Sequence, residues 1–221
     1  MSFSQAHSAP DSGSWGTILD LARTEGSASR PNVAALQDPI ATLRDVADAV
    51  HCLCMLHGRH PGVIDHAATH AALPATQPWL EQAAEAFARE RSWLIQLVAA
   101  VGPLPSTPGQ AETEAAIAAQ SHALDMLAQS DRGGCAAGAA AAIALDWIAV
   151  RELLDAAGTR LGLNVPPILL PDLEATRAML SSCSGSAGAD RAITFGARQA
   201  LAMHRGLWEL IEARAGARAP N

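Results

Sequence analysis

The 221-residue chain has no lysine and no tyrosine, three phenylalanines, five tryptophans and four cysteines. Each shortage removes a chemistry. Without lysine there is no Schiff-base amine, hence no pyridoxal phosphate anchor, and no Walker-type phosphate loop. Without tyrosine there is no phenolic acid or base. β-Branched residues are thinly spread. The one apolar run of strand length, Val165 to Leu170, contains Pro166 and Pro167, which keep it out of a sheet interior.

Positive charge is also short. A net charge of −7 leaves no basic face to track phosphates, so nucleic acid is not an expected partner. Long hydrophobic runs are missing too. The least polar stretch, Gly133 to Leu145, is too short for a bilayer and ends on Asp146, so no membrane span is expected. The N-terminus has neither a basic region nor a continuous apolar segment of the secretory kind, which predicts a cytoplasmic protein. Cys52, Cys54, Cys135 and Cys183 do not form a disulfide framework in a chain of this size. Cys52 and Cys54 would project about 200° apart on a helix and cannot chelate together.

What remains is rich in alanine and leucine, a composition that favours helix because alanine loses no side-chain entropy in forming one. The spacing of apolar residues predicts an all-α bundle of four to five long helices with two or three short ones. Residues 1–13 read as a disordered tail, 14–215 as one helical domain, and 216–221 as a frayed end. Short helices are expected over 15–24, 63–73 and 171–182. Long ones are expected from Asp38-Pro39 to His57, from Pro78 to Val101, and over 110–130, 134–161 and 190–215. Ile40, Leu43, Ala47, Val50 and Cys54 should form the inward stripe of the first long helix. The helix at about 134–161 should be central, because it is apolar on two faces. One face is a stripe of small residues, Gly134, Gly138 and Ala142, which permits close approach of a neighbouring backbone. The other is bulky, with Ile143, Trp147, Val150 and Leu154.

Two constellations bear on function. Glu90 or Arg91, Gln120, Asp146 and His204 each interrupt an apolar stripe on a different long helix, and would converge if those stripes share one axis. Burying such groups without partners costs roughly 2–7 kcal/mol each. Either they form a structural network, with Arg91 neutralising Asp146, or they line a pocket in which Asp146, His204 and Glu90 are the catalytic candidates. In a ligand-binding version, Arg91, Gln120, Asp146 and His204 would contact the ligand. A cavity of roughly 300 Å³ or more at Asp146 and His204 would separate pocket from packed pair.

The second constellation is histidine. His51, His57, His60, His66 and His70 fall within one short stretch, and His66 and His70 share a helix face at a metal-ligand spacing. His51, His66 and His70 are the metal candidates, with Asp48 three residues before His51. The competing reading leaves His66 and His70 solvated, and His57 and His60 at a helix C-terminus that suits imidazole. A di-iron carboxylate centre is excluded on ligand count, since no Glu is followed three residues later by His.

The segments GPLPSTPGQ and LAQSDRGGCAAGAAAA, with Asp146-Trp147, resemble an uncharacterised alphaproteobacterial all-helical protein family over about residues 75–160. That resemblance implies a bacterial protein and carries over no functional residue. The architecture is also similar to haem-oxygenase-like and TenA-like helical proteins, although a thiaminase-type Cys/Tyr pair cannot be met without tyrosine. Three readings stand at this point. They are a helical protein binding a small apolar ligand or a protein partner, a homodimer included, without catalysis; an enzyme with a polar pocket mid-bundle; and a His-rich metal-binding protein.

Overall fold

The computed structural model describes residues 13–70 and 73–218. It is all-helical, with no strand among the described residues. The helices are α1 (Ser14–Glu25), α2 (Pro31–Gln37), α3 (Leu43–His57), α4 (Val63–Thr69), α5 (Gln77–Val101), α6 (Gln110–Ala128), α7 (Cys135–Arg160), α8 (Leu173–Cys183) and α9 (Ala187–Arg218). A single 3₁₀ turn at Ser27–Ser29 joins α1 to α2. No helix among the described residues is long and apolar enough to cross a membrane.

α7 is the centre of the bundle, as its two apolar faces predict. It packs against α1, α2, the 3₁₀ turn, α4, α5, α6, α8 and α9. Its small-residue stripe meets α9 at backbone distance. A Cβ at Gly138 would collide with the Ile193 backbone, and one at Gly196 would collide with the Cys135 carbonyl. The two glycines therefore let α7 and α9 cross without side chains between them. Ile143, Trp147, Val150 and Leu154 on the bulky face are all buried. α5 starts at the Pro78 signal and buries Leu80, Ala83, Phe87, Leu94 and Leu97, the stripe its spacing indicates.

The first long helix departs from the sequence reading. Asp38-Pro39 does not open it. Asp38 Oδ1 accepts from the Ile40 amide at 2.9 Å in a local turn, and α3 begins only at Leu43, capped by Thr42 Oγ1 accepting from the Asp45 amide. Ile40 is consequently 88% exposed and Leu43 53% exposed, while the inward face runs Val46, Val50, Leu53 and His57. Pro31 is the proline that starts a helix here, giving the short α2 inside a stretch that reads as connector.

The end of α9 also differs. It remains helical to Arg218, because Arg214 and Arg218, one turn apart, both reach Asp48 on α3. Arg214 Nη2 donates to Asp48 Oδ1 and Arg218 Nη1 to Asp48 Oδ2, each at 2.7 Å, and Arg218 also pairs with Asp45. Residues 1–12, where most of the expected disordered tail at 1–13 falls, and 219–221 lie outside the described residues.

Candidate functional site

At the centre of the bundle four elements contribute one continuous hydrogen-bonded chain. Asp146 projects from α7 and its carboxylate is fully engaged. Oδ1 accepts from the Ser27 amide at 2.6 Å, and Oδ2 accepts from Ser27 Oγ at 2.5 Å and from His204 Nδ1 at 2.6 Å. Ser27 Oγ in turn accepts from Trp208 Nε1 at 2.7 Å, so the turn after α1 is pinned to both α7 and α9. Gly26 makes this possible: its position is so close to the Ala22 carbonyl and Asp146 Oδ1 that a Cβ would overlap both. On its far side His204 Nε2 meets His57 Nε2 of α3 at 2.7 Å. The Asp146 and His204 side chains are each 1% exposed.

The protonation pattern follows from the partners. His204 Nδ1 must donate, since a carboxylate only accepts. Burial alone would raise the Asp146 carboxyl, but the bond and charge of His204 and the two bonds from Ser27 outweigh it and hold it below the ordinary carboxylate value. Burial pushes His57 well below the usual imidazole value, and the charges of His204 and Arg91 add to that. His57 is thus the neutral end of the chain. Its ring lies edge-on to Trp147 and Phe87, with centroids 5.2 and 6.0 Å away.

The other interrupting residues do not join this chain. Glu90 belongs to a second buried cluster, accepting from Trp147 Nε1 at 2.8 Å and from Arg151 Nη1 at both oxygens. Arg151 also donates to Asp155 and to the Pro166 carbonyl, fastening the proline-rich connector onto α7. Arg91 does not neutralise Asp146. It forms a two-pronged bond to Asp65 of α4, with distances of 2.8 and 3.2 Å. Gln120 lies beside Gly206, with its Oε1 buried and without a partner among the described residues. The structure therefore brings Asp146 and His204 together and sends Glu90, Arg91 and Gln120 elsewhere.

The metal candidates are dispersed as well. His51 Nε2 bonds the Gly102 carbonyl at 2.8 Å, His70 Nδ1 bonds the His66 carbonyl, and Asp48 is taken by the two arginines. Among the described residues no group of three or more His, Cys, Asp or Glu is placed to hold a metal ion.

Ser27, Trp208 and Arg151 are not among the candidates that the sequence offers, and His57 enters there only as an imidazole at a helix C-terminus, not as a partner of His204. For His57 a signal existed: Val46, Val50, Leu53 and His57 follow helical spacing, and that register places the imidazole inward. Ser27 lies in a connector, where no periodicity identifies an inward residue.

Space at the chain is unequally distributed. Beside His57 there is a pocket of ≈10 Å³, about the room of one water. Outside Asp146 there is an open groove of ≈560 Å³ between α1, α7 and α8, floored by Ala144 and Ala149 and flanked by Leu19, Ile148 and Leu173. Asp146 contributes to the floor, but both of its oxygens are bonded to Ser27 and His204. A somewhat larger cleft of ≈650 Å³, between α1 and the start of α9, carries charged side chains such as Asp190, Arg191 and Arg198 in its lining and does not touch the chain.

A family model described as a family of unknown function (DUF6975) matches residues 22–219. No curated protein and no solved structure matches.

Proposed function

On the premise that the chain belongs to the family of unknown function DUF6975, we propose that it is a non-catalytic protein that holds a small apolar ligand in the groove between α1, α7 and α8. The groove itself carries this reading. Its ≈560 Å³ falls within the usual range for small-molecule sites, and its walls are mostly apolar. Leu173 remains 57% exposed and Ile148 44% exposed at its mouth, so apolar surface is left there that folding does not bury.

The same geometry weighs against catalysis at Asp146 and His204. A general base needs a free lone pair facing a substrate. Both His204 nitrogens and both Asp146 oxygens are bonded to protein groups, and the space beside His57 is about one water in size. The chain serves to fix the groove floor. It locks Asp146 on α7 against the turn after α1, whose Ala28 also lines the groove.

The neutral dye Nile red tests this reading. It should bind the wild-type protein with a blue-shifted emission. The double variant Ile148→Gln, Leu173→Gln, which changes only exposed positions, should weaken binding by roughly tenfold, the loss expected for two half-buried aliphatic contacts. A dye that ignores the double variant would place the site elsewhere.

A further inference from the structure

The groove also carries a charge pattern that points to its ligand. We propose that the ligand is an organic cation with an apolar body, its alkyl or aromatic part against Ile148, Leu173 and the alanine floor and its ammonium between Glu152 and Asp172. This rests on the groove reading above. Glu152 lies on α7 one turn after Ile148, at the edge of the groove, and has no hydrogen bond or ion pair among the described residues. Asp172 caps α8 through Oδ1, which accepts from the Ala175 amide at 2.8 Å, and its Oδ2 has no partner among the described residues. Both carboxylates are exposed.

The opposing charge is already in use. Arg23 is the one cation among the described residues lining this groove, and it pairs with Asp20 at 3.5 Å. Asp146 below has both oxygens engaged by Ser27 and His204 and offers no free acceptor to the groove. Two free carboxylates therefore face an apolar trough. An anionic amphiphile would bring a third negative charge to them, and a neutral one would leave both unmatched. Only a cation satisfies both the wall and the rim. The net charge of −7 supports the same preference at long range.

Three ligands with one decyl tail separate the possibilities: decyltrimethylammonium, decyl maltoside and decanoate, each titrated calorimetrically into the full chain below its micelle threshold at low salt. Decyltrimethylammonium should bind about fivefold tighter than the maltoside, the scale of one exposed ion pair, and decanoate should bind more weakly than either. In the double variant Glu152→Gln, Asp172→Asn the preference should vanish while maltoside binding stays. Asparagine keeps the α8 cap, so this variant retains its fold. Equal affinity for all three, or a cation preference that survives in the double variant, overturns the cation assignment and leaves the groove reading standing. Binding of Nile red with no binding of decyltrimethylammonium has the same meaning. If neither Nile red nor any decyl ligand binds, the groove reading itself falls.

Discussion

His57 Nε2 lies 2.7 Å from His204 Nε2, with both rings buried, so one proton lies between two imidazoles. With Asp146 on the other side of His204, the arrangement is an acceptor, a ring that donates at Nδ1, and a neutral ring at the end. The whole unit is fixed by helix packing.

That arrangement sets the pH dependence of stability. In the unfolded chain His57 takes up a proton near pH 6.5, whereas in the folded chain it stays neutral to well below that value. Between the two values the unfolded state binds more protons, so stability increases with pH and is lost on acidification below about 6.5, by at most about 1.4 kcal/mol per pH unit. Asp146, held below the carboxylate value of 3.8, adds stability that is lost as pH falls from about 3.8 through its lowered native value. Replacement His57→Phe keeps the ring packing against Trp147 and Phe87 and removes the titrating group. Urea unfolding from pH 5 to 7 should then lose about one proton of slope. An unchanged slope would show that His57 is not buried neutral.

The sign of that effect was hidden in the sequence. His57 is the last residue of its helix, where the dipole favours imidazolium, yet burial reverses the preference. Burial itself depended on the register of α3. Asp38-Pro39 carries a helix-start signal that the chain uses for a local turn, so a stripe counted from it puts Ile40 and Leu43 inward, where the structure exposes both. Elsewhere the periodicity was sufficient. The two apolar faces of α7 and the Pro78 start of α5 are strong signals spread over many turns, and both elements stand where spacing puts them.

The pairing of the buried polar residues was less legible than their burial. Asp146, His204, Glu90 and Arg91 stood out because each breaks an apolar stripe, and all four are buried. Which acid meets which base depends on helix rotation and crossing angle, which periodicity does not encode. Arg91 and Arg151 could each have neutralised Glu90 or Asp146 on composition alone. α4 supplies Asp65 to Arg91, leaving Glu90 for Arg151.

The Glu90–Arg151 pair makes a second prediction. Both side chains are 2% exposed, and Arg151 Nη1 lies 2.7 Å from Glu90 Oε1. Glu90→Gln removes the buried negative charge and leaves the Arg151 guanidinium with only the partly exposed Asp155 carboxylate as counter-charge. Breaking such a pair from one side costs about 3–5 kcal/mol. Because Arg151 also holds the Pro166 carbonyl, the connector should loosen at the same time. Hydrogen exchange should show faster exchange over 162–172 in the variant. Stability within about 0.5 kcal/mol of wild type, the range of an ordinary surface change, would contradict the buried pairing.

Thiol chemistry gives a third test. Cys52 is fully buried, and burial, with the Asp48 carboxylate nearby, pushes its thiol up to about 12. Burial also raises Cys54 and Cys183. The thiolate is the reactive form, so Cys52 should resist alkylation at pH 8 and react only at the rate at which the protein unfolds. Mass spectrometry after brief iodoacetamide treatment should find Cys52 unmodified in the folded protein and modified in guanidinium. Rapid labelling at Cys52 under native conditions would mean that α3 opens locally.

The α7–α9 crossing gives the sharpest mutational test, because alanine is normally the better helix former. Ala for Gly in an exposed helix gains up to about 1 kcal/mol. Gly216, on α9 with open space around it, should follow that rule, and Gly216→Ala should be neutral or slightly stabilising. At Gly138 the same methyl group meets the Ile193 backbone, which cannot rotate away as a side chain would. α7 and α9 must then separate along their shared length, so Gly138→Ala should destabilise by about 2 kcal/mol despite its better propensity. Gly138→Leu should cost at least as much. Thermal or urea unfolding of the three variants measures the contrast directly. A Gly138→Ala protein as stable as wild type would mean that the helices stand further apart than their glycines imply.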